Sequence, residues 1–459
     1  MCDILIEISN YSIFCLRLKS EILPFKIPYE KLVKICVMAM STTYSLPTLQ
    51  SLALHTQCLA ESPSLHPTRE SIYSILKNVG WIQIDTLQMI QRSQYIAMWS
   101  RIGCYDVTDF DSIIYTDEIV PANNSRLAFE YWMHAACIIP LAEFRYCMPM
   151  MRKYRDHIIG GQNSKNWAKN PENKKILQTV MRSIRATGGK RSSDFANPDQ
   201  KRGSWWDWKP SKRALERLYN TGDLVISNRI KFQREYDLPS RVIPSDVNQE
   251  MPTVAEAILH LLEISMKALG VCRPVQVGDY FHMKRTQSRS YIEELIRKGI
   301  FLEIEGRLTD GNVHNLLIHK DNRVLLEKIA DEAITPSHTT FLSPFDSLFW
   351  AKRRDQEMWS FNQVLEAYKP VSLRKWGYFC LPILYKGTLI GRFDPRLDRK
   401  SKQLHLRSLH LEPGIDLDDD LLCSVATAMK DFMDFHDSDE LRISNSTSKE
   451  FAKKLLKAI

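Results

Sequence analysis

A chain of 459 residues, 44% hydrophobic and 25% charged, has the material for three or four packed domains and is neither fibrous nor disordered. No apolar run approaches the roughly 18 residues that cross a bilayer, and the opening MCDILIEISN carries acids where a secretory leader carries Lys or Arg, so the sequence reads as cytoplasmic. The net charge of +8 is unevenly spread: residues 151–244 hold 21 Lys and Arg against 9 Asp and Glu, more than the whole excess, which favours a polyanionic partner.

Residues 1–45 hold short apolar fragments with no sustained period and are expected to be a mis-started or loosely attached extension; a genuine strand and helix is the alternative. From Leu46, LPTLQSLALHTQCLA predicts a helix, and TRESIYSILKNVG a second one, from an N-cap at Thr68 to Gly80. GWIQIDT (80–86) follows as an extended segment, with Ile82 and Ile84 on one face and Trp81, Gln83 and Asp85 on the other. TLQMIQRSQ reads as helix-like, and Asp85 suits its N-cap. SRLAFEYWMHAACII is expected to be an aromatic helix on which His134 is a satisfied core residue rather than a ligand. A first domain at 46–150 is the result.

In 151–245, PENKKILQTVMRSIRATGG, SSDFANPD and KPSKRALERLYNTG predict three helices, and DLVISNRIKFQREYDL alternates as a hairpin. Three helices and a hairpin is the winged-helix order. The same order recurs in 246–335 without sequence identity. From 336 to 459, FLSPFDSLFW, GYFCLPILYKGTLIGRFDPRLD and KQLHLRSLHLEPG predict a small antiparallel β-barrel, closed by a helix at 417–435 and followed by a frayed polar tail. Asp346 is expected to fix a turn and pair with Arg392. Arg353, Arg354, Lys386, Arg396, Arg399 and Lys400 form a second basic group on the barrel. The fold class is therefore α+β: tandem winged-helix domains, three in number, before a barrel with a C-terminal helix.

Ten cysteines and twelve histidines are dispersed, and CxxC, HExxH, GxGxxG and Walker A patterns are absent, so no cofactor or metal is expected. The helix at 209–222 gathers Lys209, Lys212, Arg213 and Arg217 as candidate phosphate contacts, or as a solvated face packed by Leu215 and Leu218. Ser211 suits a helix cap or a phosphate equally. Of Trp205, Trp206 and Trp208, at least two are expected to pack, and one is suited to stack on a base or sugar. Arg202 and Trp208 complete the candidate DNA-binding set.

Several runs together carry a family likeness: GWIQIDT (80–86), WSRIG (99–103), FEYWMHAACIIP (129–140), KRGSWWDWKPSKRALERLYNTG (201–222), FQREYDLP (232–239), LSPFDSLFW (342–350), GYFCLPILYKGTLIGRFDPRLDRK (377–400) and LHLEPG (409–414). The sequence resembles the helix-turn-helix DNA glycosylases that include AlkZ and YcaQ, over about residues 46–430. The resemblance implies tandem winged helices and a barrel curved around duplex DNA. It also implies a nucleoid-associated monomer and a catalytic motif of Gln, an apolar residue, then Gln or Asp. Here that motif is Gln83-Ile84-Asp85, the form that looks like the YcaQ branch, with its association with broad substrates and crosslink unhooking.

The chemistry is consistent. A purine alkylated at its seven-position is already cationic and leaves without a general acid. What remains is to stabilise an oxocarbenium-like sugar and present a water, which a carboxylate can do with a neutral amide beside it to hold the water. On an extended segment Gln83 and Asp85 share one face. The implied activity is a monofunctional DNA glycosylase acting on 7-alkylguanine-type adducts in double-stranded DNA. A non-catalytic winged-helix regulator, or a basic scaffold for RNA, explains the charge but leaves the Gln/Asp pair and the barrel without a role.

Overall fold

The computed structural model describes residues 43–63, 67–115, 126–195 and 210–459. The expectations for residues 1–42, and those for Arg202, Trp205, Trp206, Trp208 and Lys209, fall outside the described residues. Among the described residues it is a mixed α/β fold of helices and four sheets. Among the described residues, no helix is long and apolar enough to cross a membrane.

The first strand, β1 (Thr43–Tyr44), is followed by the helix Leu46–Thr56, capped by the Ser45 hydroxyl. The helix Arg69–Val79 opens on a Thr68 capping box and stops at Gly80, whose φ of 79° suits glycine. Strand β2 (Ile82–Gln83) follows as expected. The next run differs: 86–92 is a turn rather than a helix, and the helix starts at Ser93 and ends at Ile102. A larger correction concerns the aromatic run. It is not a helix but a hairpin, β3 (Ala128–Trp132) and β4 (Ala136–Pro140), with β4 pairing β2 in the sheet order β2-β4-β3. Both faces of β3 are covered, because Ala128, Phe129, Glu130 and Tyr131 are all buried. Such a strand shows no alternation, and its apolar run is indistinguishable from a core helix.

The helix Phe144–Arg155 runs through residue 150, and the helix Pro171–Thr187 opens on an Asn170 cap. Strand β5 (Lys190–Arg191), the helix Pro210–Asn220, β6 (Val225–Ile230) and β7 (Gln233–Asp237) follow, the strands ordered β5-β7-β6. The recurrence of the pattern is visible next. The helix Val254–Leu269, β8 (Val271–Cys272), a short 3-10 segment Pro274–Phe281, the helix Arg285–Arg297, β9 (Phe301–Arg307) and β10 (Val313–His319) form a unit to whose sheet β1 adds in parallel.

The C-terminal sheet orders β11 (Thr339–Phe341), β12 (Leu381–Tyr385), β13 (Thr388–Asp398), β14 (Gln403–Leu411) and β15 (Glu440–Ile443) side by side, packed by the helix Asp419–Phe435. It is not wholly antiparallel, since β14 and β15 run parallel. The polar tail is not frayed either: it supplies β15 and the helix Lys449–Ala458, which buries Phe451, Ala452 and Leu455.

Asp346 does fix a turn, accepting from the Leu348 N–H, but its ionic partner is Arg101 rather than Arg392. Arg101 donates to both Asp346 oxygens at 2.7 and 2.9 Å in full burial, and also to the Gln57 carbonyl. Arg392 pairs with Glu412 at 2.9 Å. Arg354 leaves the expected basic group as well: it is buried and donates to the carbonyls of Leu269 and Val271. Lys386 is held by Asp420.

Candidate active site

Gln83 and Asp85 meet at a cleft of about 710 Å³. Its floor is the segment 83–86 with Trp132, Ala135 and Ala136, and its opposite wall comes from the basic unit, through Lys212, Glu216, Arg229, Phe232 and Arg234. The alternation holds over 82–85, where Ile82 and Ile84 are buried and Gln83 and Asp85 partly exposed, but Trp81, expected to share the face of Gln83, is fully buried. Trp81 points away from solvent into an aromatic cluster with Tyr280 and Trp350, so it packs rather than binds.

The backbone under the pair is fixed. The Ile84 N–H donates to the Ala136 carbonyl at 2.8 Å, and the Ser93 hydroxyl donates to the Gln83 carbonyl at 3.0 Å. Asp85 Oδ1 accepts from the Leu87 N–H at 2.8 Å, a two-residue turn rather than the cap of a helix. Partial burial raises the Asp85 carboxyl pKa, although backbone N–H groups and the Arg92 charge oppose the shift.

His134 sits in the β3–β4 turn, with its Nε2 3.0 Å from Gln83 Oε1. Burial, and then the neighbouring His282, push the imidazole down to about 3, so it is neutral at physiological pH. Its Nδ1 is buried without a hydrogen-bond partner, and its ring lies 4.0 Å from the Trp350 ring, centroid to centroid. The tautomer with Nε2–H donating satisfies Gln83 Oε1 and leaves only a bare acceptor unpaired, the cheaper of the two orphans. Gln83 then has its amide NH2 for the cleft.

The opposite wall rests on one buried carboxylate. Glu130 of β3 accepts from Arg229 at 2.5 and 2.7 Å and lies 3.8 Å from Arg234, while the Tyr115 hydroxyl donates to it. Burial alone would raise the Glu130 pKa; Arg229 and Arg234 outweigh it and hold the group low. Arg234 also pairs with Glu216, which the Tyr236 hydroxyl reaches at 2.9 Å. At the β6–β7 turn Lys231 and Phe232 both take φ above zero, at 49° and 66°, as a two-residue hairpin turn demands. Phe232 is held there between the guanidinium groups of Arg92 and Arg229, 3.2 and 4.2 Å from its ring centroid.

Of the other sequence candidates, Lys212 lines the cleft. Arg213 stacks 5.0 Å from the Trp167 ring, and Ser211 is partly buried on the first turn of its helix. Arg217 is buried, with Nη2 3.5 Å from the Arg155 carbonyl and 3.3 Å from His157 Nδ1, which is the setting of a packing residue rather than a phosphate contact.

The family model described as DNA glycosylase AlkZ-like matches residues 76–435, well over half of the chain. The chain belongs to the AlkZ-like DNA glycosylase family. A solved structure, the Streptomyces sahachiroi DNA glycosylase AlkZ, has the same fold at a TM-score of 0.57 and 12% identity, covering 88% of this chain and 100% of that one. As an AlkZ-like glycosylase the protein is an enzyme of DNA repair, and a regulator without catalysis is the reading set aside. The sequence alone does not reveal Arg229 and Arg234, which line this glycosylase's cleft, or His134 and Glu130, which hold the lining residues from behind. His134 was hidden by the helix reading of its segment, because on a helix it has no reason to meet Gln83, 51 residues away.

Proposed function

We propose that this glycosylase hydrolyses the N-glycosidic bond of cationic 7-alkylguanine-type adducts in double-stranded DNA, without a lyase step, through Gln83 and Asp85. The observation that carries the reading is the pair's position on a backbone-locked segment at the floor of a cleft that faces the basic unit. One water, accepting from the Gln83 NH2 and donating to the Asp85 carboxylate, has its remaining lone pair for the anomeric carbon. As the bond to the base lengthens, the carboxylate stabilises positive charge on the sugar, and it takes the water proton. Among the described residues, the only other acid in the cleft lining, Glu216, is engaged by Arg234 and Tyr236 and is poorly suited to protonate a leaving base. That favours a base that departs already charged.

Lys212 suits a flanking phosphate, while Arg229 and Arg234, held by Glu130 and Glu216, shape the wall behind it. We read the two helix-and-hairpin units around β6–β7 and β9–β10, and the unit around β3–β4, as three winged helices on a barrel-like C-terminal sheet, gripping duplex DNA as a monomer. The Asp form of the motif favours the YcaQ-type branch, and so the unhooking of interstrand crosslinks.

The test is release of free base from duplex DNA containing 7-methylguanine by the wild type, Gln83→Ala and Asp85→Asn. Release by the wild type, loss in both variants and retained DNA binding is the expected pattern. Unimpaired release by Asp85→Asn refutes the assignment, and a borohydride-trapped covalent adduct refutes the absence of a lyase step.

A further inference from the structure

The loop between Glu366 and Trp376 presents three large apolar side chains to water: Tyr368, Val371 and Leu373 are 78%, 76% and 67% exposed. Single exposed apolar residues are ordinary; three within six positions are not. Nor is the exposure a matter of fraying. The buried Glu366 carboxylate accepts from the N–H groups of Trp376 (2.7 Å) and Gly377 (3.3 Å) and from Lys369 Nζ (3.0 Å), closing the loop on itself. Inside it, backbone bonds run from Leu373 N to Pro370 O and from Arg374 N to Val371 O, and Arg374 Nε donates to the Lys369 carbonyl. The apolar side chains are thus held outward by a stapled frame.

Two further observations say what the frame faces. Between Ala367 and Gly377 the charged residues are Lys369, Arg374 and Lys375, with no acid among them, which suits a polyanion. The loop also flanks the catalytic segment. Leu365 and Tyr378, at its two ends, pack on the same core cluster as Leu87 and Met89, just beyond Asp85. Slight burial and the Asp85 charge both raise the Tyr368 phenol pKa, so the two side chains lie within electrostatic reach.

We infer that the loop 367–375 is a wedge that enters duplex DNA beside the damaged nucleotide. Val371, Leu373 and Tyr368 part or cover the neighbouring base step, while Lys369, Arg374 and Lys375 sit at the flanking phosphates. Apolar wedges of this kind exchange stacking for a bent duplex that touches more protein. The inference rests on the reading of the cleft as the site of base release, and it adds the surface that opens the stack there.

The test uses the full chain and a duplex carrying a hydrolysis-resistant 2′-fluoro-7-methylguanine next to 2-aminopurine. The expected result is a rise in 2-aminopurine fluorescence with the wild type, lost in the triple variant Tyr368→Ser/Val371→Ser/Leu373→Ser. That variant should bind the duplex at least about tenfold more weakly with unchanged circular dichroism and Tm. The single variants Val371→Ser and Leu373→Ser, at exposed sites, provide the same readout should the triple variant fold poorly. Equal fluorescence and equal affinity in the variants overturn the wedge, while base release from 7-methylguanine DNA by the wild type leaves the cleft reading intact. A wild type that neither binds nor releases overturns both.

Discussion

Gln83 Oε1 and His134 Nε2 lie 3.0 Å apart, joining the proposed catalytic segment to the tip of the β3–β4 hairpin. Because the imidazole is neutral, this hydrogen bond fixes which end of the Gln83 amide meets the cleft. Replacing His134 by Ala is expected to slow single-turnover base release about fivefold, the value of a neutral hydrogen bond of ~1 kcal/mol. DNA affinity should stay unchanged, and His134→Gln, which keeps a donor, should restore part of the rate. Equal rates for all three proteins would show that Gln83 orients itself.

The pH profile follows from Asp85. Its raised pKa means that the base form is lost, as pH falls, at a higher pH than the ~3.9 of an ordinary aspartate. Base release should therefore decline on the acid side with an apparent pKa above that value, and Asp85→Asn should show no such limb. His134, already neutral, adds nothing above about 3.

The same shift makes a stability prediction of the opposite sign. A group whose folded pKa is raised contributes stability below its unfolded pKa and loses that contribution as pH rises through the folded value. At neutral pH the ionised Asp85 is thus a cost to the fold. Asp85→Asn should melt at or above the wild-type Tm at pH 7, with the advantage shrinking in acid. A lower Tm would mean that the carboxylate is a structural group.

Glu130 behaves in the reverse way. Held low by Arg229 and Arg234 despite burial, it stabilises the fold above the ~4.3 of an unfolded glutamate, and that contribution disappears as pH falls through its depressed folded value. Glu130→Gln should cost about 3–5 kcal/mol in denaturant unfolding, because Arg229 would be left buried against a neutral partner. Weaker DNA binding should follow from the displaced wall.

Lys212 gives a purely electrostatic test. If it meets a phosphate, Lys212→Ala should reduce the slope of log affinity against log salt by about 1. The rate of base release on saturated enzyme should not change. A fixed slope would assign Lys212 to the cleft wall alone.

Much of this architecture is legible from local signals. The Thr68 cap, the Gly80 stop, the β6–β7 hairpin and its recurrence at β9–β10 all rest on residues close in sequence. The shared exposure of Gln83 and Asp85 is legible because period-two alternation needs only a few neighbouring residues. What escaped depends on partners far along the chain. Glu130 is tolerated inside β3 only because Arg229 arrives 99 positions later, and Arg101 finds Asp346 245 positions on. Arg354 looked like a surface cation because nothing near it in sequence announces the two carbonyls it serves. The tail beyond 436 looked solvated because its order comes from β14, which accepts β15 in parallel.

The two walls of the cleft share a single interior. Trp81 and Tyr131 beneath the floor, and Tyr219 and Tyr236 behind the basic wall, belong to one continuous apolar mass, and Tyr131 and Trp132 both donate to Asn220 across the seam. Among the described residues, the floor and the basic wall of the cleft are therefore packed as one body. The width of the gap between floor and wall is then set by side-chain packing laid down as the chain folds.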